Sequence, residues 1–581
     1  MSSALADGNE AAATRAAAPP APAATPAARV AWRSLPPWAA YLARYAPVLL
    51  PTAVMTVAGL WGLTRDSSMG NDEVATRWAA LLPLRNLAHL LRHVDAVHGL
   101  YYVLMHAWVA IAGSGPTALR VPSVIAMIVA VALVSVLARQ LTRSGWVALF
   151  AGLIMALTPT VTYYAQTARS YAMVLAGVVA TTLLLVQALR AETGAVSRQP
   201  AGGPRQALRC WIGYAVLAAI SSYLNEMALL MLAAHGVTVL LARYGRRVFE
   251  HWLYAAIAGG AAVLPLLALS VAEHGAIGWI PRPGIPALKT LFHDYFGATT
   301  ILALLVLACA VVAVLPDSSA GNASAAPGDA AGNASPAPGD AAAIASPAPG
   351  DAAGPWWRGG VNLPSVAAPL LVIPALLLVA ESQVLHPLYV DRYVLYGEAG
   401  AALLAGAGVY RIGQWASGRL AVPGVRRALI WLPGVVLCIL ALVLQLGPDQ
   451  RVRTPQSRAY DFGGPSRYVG AHARAGDGVL YFDTFFRKAE LGYPQDFTKI
   501  TDFAVAVPPR QAGDFRGTDK SFAGTLPLML RYQRIWVIGA QPSANLRASL
   551  YRQQSQALAQ YFTQIDIQQF RGMTVTLWQR R

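Results

Sequence analysis

Charged residues are scarce in this chain: Asp, Glu, Lys and Arg together make up 13% of its 581 residues. A soluble protein of this size carries about a quarter, so a fold bathed in water on all sides is excluded. Lysine is nearly missing, found only at positions 289, 488, 499 and 520. That arginine bias suggests a GC-rich bacterial genome and says nothing of chemistry. Acidic residues number 28 against 45 basic ones, a formal net charge of +17. No nucleic-acid motif accompanies the excess, so nucleic acid is not expected as a partner. Cysteine occurs three times, at Cys210, Cys309 and Cys438, in or beside apolar runs. Their spacing suits neither a disulfide framework nor a metal clip. The first 31 residues are Ala/Pro-rich and lack a signal peptide's compact apolar core. They read as the start of a disordered cytoplasmic tail over residues 1–44.

What the chain has instead is apolar length. Hydrophobic residues make up 56%, and mean hydropathy is +0.45. They gather in runs of about 17 to 20 residues, the span of a bilayer core. Eleven such runs are expected, at 47–63, 120–138, 146–162, 171–189, 211–225, 227–242, 252–271, 299–315, 363–380, 393–410 and 428–446. Arginines cluster at one set of ends: Arg139 and Arg143, Arg190 to Arg209, Arg243 to Arg247, and Arg411 to Arg427. The positive-inside rule puts these ends and the N-terminus in the cytoplasm, and the odd count puts the C-terminus outside. The expected class is a polytopic α-helical protein of the cell membrane over 45–448, followed by an extracytoplasmic α/β domain over 449–581. Strands are expected at 478–482, 534–539 and 573–578, and a helix from Asn545 to Phe562. A degenerate Ala-Pro-Gly-Asp repeat over 317–354 reads as a disordered cytoplasmic linker. Its Asn322 and Asn333 sequons are chance matches on that side.

Four clusters fall on the outer side in this topology. Asp72 and Glu73 follow the first span and open the long outer loop 64–119; paired carboxylates at an interface can divide their pKa values and supply a base. A solvated helix start would look the same. The second cluster is Asp95-Ala-Val-His98-Gly-Leu-Tyr101-Tyr102, then His106: aromatic faces for a sugar and donors for a phosphate, or merely an interfacial aromatic belt. His89 and His93 share a helix face and leave a divalent metal open as a weak alternative to polar-face histidines. Gln166-Thr-Ala-Arg169-Ser-Tyr171 is the third; its arginine suits a lipid phosphate, or snorkels. The last is His386-Pro-Leu-Tyr389-Val-Asp-Arg392-Tyr393, where the arginine binds an anion or pairs with Asp391.

In this order the motifs resemble the C-type (GT-C) glycosyltransferases, in particular the family 39 and aminoarabinose-transferase-like branch. Asp72-Glu73 matches that family's early acidic pair. Asp95 to Tyr102 and then His106 match its Asp-x-His-Pro-Pro-Leu-Tyr-Tyr and following His. Leu119-Arg120-Val-Pro122-Ser123, Gln166 to Tyr171, and Arg392-Tyr393 match the later motifs. The likeness is good over residues 45–190 and topological beyond. It departs at Val97, His98 and Gly99, where the family has His-Pro-Pro.

The resemblance implies transfer of a sugar from a polyprenyl-phosphate donor to an extracytoplasmic acceptor, with inversion. Mannose or a pentose is the expected sugar; glycan, glycolipid and protein acceptors stay open. It implies Asp72 as base and Glu73 as a supporting carboxylate. Donor binding then falls to Asp95, His98, Tyr101, Tyr102, His106, Gln166, Arg169, Tyr171, His386, Tyr389 and Arg392. No cofactor is certain, since branches of the family differ over metal. The rival reading is a transporter or flippase of lipid-linked sugars; it is disfavoured because no helix repeat is visible. A membrane-anchored assembly protein would leave the ordered loop motifs unexplained.

Overall fold

The structure, a computed structural model, describes residues 37–65, 68–194, 204–273, 278, 280–316, 360–419, 423–540 and 549–581. The N-terminal tail up to residue 36, the linker 317–354 with its two sequons, and the start of the expected helix at Asn545 lie outside these residues.

The described chain is mostly helical. It begins with α1 (Pro37–Leu60), α2 (Asn71–Leu81), α3 (Leu84–Leu90) and α4 (Gly99–Ala112). The bundle continues with α5 (Pro116–Thr142), α6 (Gly145–Ala156), α7 (Pro159–Ala165), α8 (Tyr171–Gly194), α9 (Pro204–Leu224) and α10 (Leu230–Ala242). It closes with α11 (Arg246–Ala261), α12 (Leu264–Ala272), α13 (Ile285–Phe296), α14 (Thr300–Val314), α15 (Leu363–Val384), α16 (Gly397–Gly418) and α17 (Pro423–Arg451).

All eleven apolar segments are helical, but fewer qualify as crossings. Five helices are long and apolar enough: α5, α8, α9, α15 and α17. Three bent pairs raise the number to eight if each is one span: α6–α7 at 67°, α11–α12 at 46°, and α13–α14 at 70°. The chain is therefore a multi-pass membrane protein with five to eight candidate crossings, against the eleven expected. The first bend has a plain cause. Pro159 cannot donate to the ladder and starts a new helix at its first position. The last falls at Gly297, whose φ is 132°, between α13 and α14. Segments 47–63 and 227–242 form shorter helices. Segment 393–410 lies on the glycine-rich α16, whose residues are largely buried. A Cβ on Gly408 would sit 1.7 Å from the Cys309 carbonyl oxygen, and one on Gly400 2.6 Å from that of Ala367. Small residues let α16 pack backbone to backbone on α14 and α15.

The helix ends sort into two sets. At one end lie the arginine-rich turns, where Arg190 reaches the Gln140 carbonyl and Arg411 that of Val312. At the other end α2, the α7–α8 turn and the chain after α17 converge under a sheet. The sheet runs β2 (Ile500–Asp502), β1 (Asp477–Phe482), β5 (Arg534–Gly539), β7 (Met573–Arg580), β6 (Phe562–Phe570). β1 is parallel to β2 and β5; β7 is antiparallel to β5 and β6. A small ribbon pairs β3 (Val505–Val507) with β4 (Thr518–Asp519). Helices α18 (Gly463–His472), α19 (Lys488–Gly492), α20 (Pro509–Ala512), α21 (Phe522–Met529) and α22 (Ser549–Tyr561) complete the region. The expected strands are β1, β5 and β7; β6 is an additional strand that begins where the expected helix ends.

Candidate functional site

The site is built around the first turn of α2. Gly70 precedes the helix, and Asp72 and Glu73 occupy its first turn, where carboxylates oppose the positive end of the helix dipole. Successive residues on a helix point about 100° apart, and that rotation separates the two acids.

Glu73 turns inward. Its side chain is 2% exposed, and Arg120 of α5 grips it through Nε and Nη2 at 2.8 and 2.9 Å. Arg458, beyond α17, closes on Oε2 as well. Backbone amides of Ala168 and Gly70 donate to it at 3.1 and 3.2 Å. Burial raises the Glu73 carboxyl, but the two guanidinium groups outweigh it and hold the group at about 2. With both oxygens engaged, Glu73 ties α2, α5, the α7–α8 turn and the C-terminal region together.

Asp72 turns outward. Its side chain keeps 26% of its surface and faces a cavity of about 1430 Å³. Arg169 Nη2 lies 3.9 Å from Asp72 and 3.3 Å from Asp95, so one guanidinium bridges the two acids. Asp95 sits at φ 60°, a left-handed position that Asp tolerates better than most residues. Burial pushes the Asp72 carboxyl up, yet the charges of Arg169 and Arg392 hold it well below the usual carboxylate range. Asp95 is lowered against burial in the same way, with Arg169 the strongest partner.

The other candidates divide between cavity wall and scaffold. His98, Arg169, Tyr171 and Arg392 line the cavity with Asp72, Glu73 and Asp95. Arg392 Nε donates to Tyr171 Oη at 2.9 Å, and His98 stands edge-on to Tyr171. Tyr101, Tyr102 and His106 stand behind the wall instead. Both tyrosines are fully buried on the inner face of α4. Tyr102 donates to Asp95 at 2.6 Å and receives Arg169 Nη1 at 2.5 Å, and His106 is bonded to the Ala80 carbonyl. Gln166 is also away from the cavity: its amide reaches the carbonyls of Gly59 and Trp61 at 2.9 and 3.0 Å. Arg453 joins it on the carbonyls of Trp61 and Ala58. Together they satisfy the end of α1, where the last carbonyls of any helix lack partners. His386 is exposed and Tyr389 buried, and neither touches the cavity. His89 and His93 stack edge-on and contact the carbonyls of Gln511 and His89. Among the described residues no group of three or more His, Cys, Asp or Glu side chains could hold a metal.

Several residues of the site are not singled out by the sequence. Arg120 lies in the Leu119–Ser123 motif, but its pairing with Glu73, 47 positions away, is not legible there. Arg458 and Lys488 come from the C-terminal region, 385 and 417 positions from their partners Glu73 and Asn71. Lys488 Nζ donates to Asn71 Oδ1 at 2.6 Å and lies over the rings of Phe485 and Phe515. Burial lowers it to about 8, with Asp95 and Asp72 opposing. Glu273, at the end of α12, is raised to about 7 by burial and accepts the Ala96 amide. Four residues of the loop before and into α2 are bonded to the C-terminal region: Ser68 to Gly463, Met69 to Tyr493, Asn71 to Lys488 and Glu73 to Arg458. The arrangement presents two ionised carboxylates, the buried Arg169 and the half-buried Arg392 to one cavity, a setting for proton abstraction beside a bound anion.

No model of a known protein family matches the chain, and no curated protein matches its sequence. Solved structures do match. The chain is similar to ArnT from Cupriavidus metallidurans in the apo state, with a TM-score of 0.54 and 11% identity over 92% of this chain and 98% of that one. It is similar also to the same protein bound to undecaprenyl phosphate, with a TM-score of 0.55 and 12% identity over the same shares. The likeness establishes a GT-C-like fold across nearly the whole chain.

Proposed function

We propose that this chain is a membrane glycosyltransferase that moves a sugar from a polyprenyl-phosphate donor to an acceptor hydroxyl outside the cytoplasm. The observation that carries the reading is Asp72, kept ionised by Arg169 and Arg392 and facing the cavity at one end of a membrane bundle. An ArnT structure of the same fold was captured with undecaprenyl phosphate, which supports a polyprenyl phosphate as the ligand here. The N-terminus and the arginine-rich helix ends are assigned to the cytoplasm by the positive-inside rule, and the cavity and sheet to the outside.

In the proposed step the acceptor oxygen attacks the anomeric carbon from the face opposite the phosphate. Asp72 takes the hydroxyl proton. The bond between the anomeric carbon and the phosphate oxygen breaks, and its electron pair leaves on the polyprenyl phosphate. Arg392 and Arg169 stabilise that growing charge from fixed positions, which costs no reorganisation during reaction. The configuration inverts. Asp95 holds Arg169 in place, while Tyr171 and His98 line the donor side. The sugar is proposed to be mannose or a pentose.

The test uses the full chain in lipid nanodiscs, undecaprenyl-phosphate mannose and arabinose donors with labelled sugars, and membrane extract as acceptor source. Label moving into a non-donor product, and lost with Asp72→Asn, is the expected result. Undiminished transfer by well-folded Asp72→Asn removes Asp72 as base. Donor translocation across a vesicle without transfer would identify a flippase instead.

A further inference from the structure

The sheet contributes a second wall to the cavity. β1 and β5 lie side by side and parallel, with Phe482 opposite Gly539 at their carboxyl ends. From β1 the chain turns to β2 on one side, and it returns to β5 on the other. Parallel sheets bind ligands at such reversals, in the crevice beyond the carboxyl ends. Here that crevice belongs to the cavity that contains Asp72: Phe482, Asp483, Gly539, Ala540 and Tyr551 line it.

The two walls are joined by a short track of side chains. Asn71, next to Asp72, receives Lys488, and Lys488 Nζ stands 4.9 Å from the centroid of the Phe485 ring. Arg516 covers the same ring at 5.7 Å and lies 3.9 Å from Asp483. Asp483 follows β1 with φ 87°, a backbone state that residues other than glycine rarely adopt. Its carboxylate is steadied by the Phe485 amide at 2.8 Å, and Tyr551 packs beside Phe482 with centroids 6.3 Å apart.

We infer that the crevice at the carboxyl ends of β1 and β5 is the acceptor subsite and that it takes a neutral saccharide, with Tyr551 as platform and Asp483 and Arg516, the latter braced on Phe485, as hydroxyl partners. Aromatic faces suit the C–H faces of a sugar, and a carboxylate beside a guanidinium offers an acceptor and donors to adjacent hydroxyls. Positive charge is not in excess along this track. Lys488 faces Asp95 and Asp72, and Arg516 faces Asp483. Two cations stand against three carboxylates, so these five groups do not draw a polyanion. A saccharide lying along the track directs one hydroxyl past Lys488 toward Asp72. The inference rests on the transferase reading above and supplies its acceptor class.

Ligand binding to the full chain in nanodiscs tests it by saturation-transfer NMR. The probes are neutral mannose-, glucose- and arabinose-based trisaccharides, an oligogalacturonate trimer and a Ser/Thr-rich peptide. A neutral trisaccharide is expected to bind, with affinity falling about tenfold in Tyr551→Ala and in Asp483→Ala, the size of one lost platform or hydroxyl partner. Conservative Tyr551→Phe should keep most of the binding. Undecaprenyl phosphate is titrated in parallel. The inference is overturned if no neutral trisaccharide binds, if the acidic trimer or the peptide binds instead, or if neither alanine substitution weakens binding. Loss of undecaprenyl phosphate binding by the wild-type chain would instead defeat the donor reading, so the two failures are distinguishable.

Discussion

The two faces of the first turn of α2 hold neighbouring acids in opposite circumstances. Asp72 looks into an open cavity and shares one arginine with Asp95. Glu73 is sealed between two arginines and two backbone amides. Both carboxyls are held below their usual range by cations that overcome burial. A depressed pKa therefore does not distinguish a base from a brace. Free acceptor capacity does: Asp72 has room to take a proton from a substrate, whereas the oxygens of Glu73 are already occupied.

The sharpest break of this comparison is at Asp72. Asp72→Asn should lower transfer roughly a hundred- to ten-thousandfold, the usual worth of a positioned base, while thermal unfolding in detergent stays near wild type. Glu73→Ala should do the converse. It strands Arg120 and Arg458 in the interior, and removing one member of a buried pair costs about 3–5 kcal/mol. The readout is the melting temperature and the yield of monodisperse protein. If Glu73→Ala folded normally and lost only activity, the division between base and brace would collapse.

The pH profile sharpens the same contrast. Glu73 is held at about 2 against a usual 4.5. A lowered carboxyl stabilises the fold fully above its unfolded value, and that stability is lost as pH falls through the folded value. Melting temperature should thus decline between pH 4.5 and about 2, and Glu73→Gln should flatten this part of the curve. On the cavity face the sign reverses, because the titrating group is a cation. Lys488 is lowered to about 8 by burial, so its charge disappears as pH rises through 8. The acceptor KM should rise there by roughly fivefold, as for a lost interaction of about 1 kcal/mol, and Lys488→Arg should move the rise to higher pH.

The helical membrane class and the α/β ending were legible because apolar runs and alternating strands are local signals. Outer-end clustering of Asp72, Asp95, Arg169 and Arg392 followed from helix order alone, and the structure gathers these four around one cavity. The count of crossings was less legible. Bends at Pro159 and Gly297 split or extend spans without changing their composition. β6 was not legible, since it is a mostly exposed edge strand with little hydrophobic alternation. Arg458 and Lys488 were invisible for a different reason: their partners lie hundreds of residues away, and only the docking of the sheet region onto residues 68–73 brings them in. A lysine in a chain that otherwise uses arginine was the one available hint.

The smallest expected effect concerns Gln166, which motif order places with the donor-binding residues and geometry places on the scaffold. Its amide closes the last turn of α1 by bonding the carbonyls of Gly59 and Trp61, and it does not line the cavity. Arg453 covers the Trp61 carbonyl too, so removing Gln166 leaves that group one donor. Gln166→Ala should consequently lower stability by about 1 kcal/mol, the net worth of an ordinary hydrogen bond, and leave transfer per folded molecule unchanged. Arg169→Lys, three residues on, should keep the charge but lose the fork that holds Tyr102 with one nitrogen and the two acids with the other, and transfer should fall. A Gln166→Ala enzyme with a raised donor KM and an unchanged melting temperature would put this residue on the cavity side after all. A lowered melting temperature with wild-type kinetics would show that one turn of chain, from Gln166 to Arg169, passes from scaffold to site.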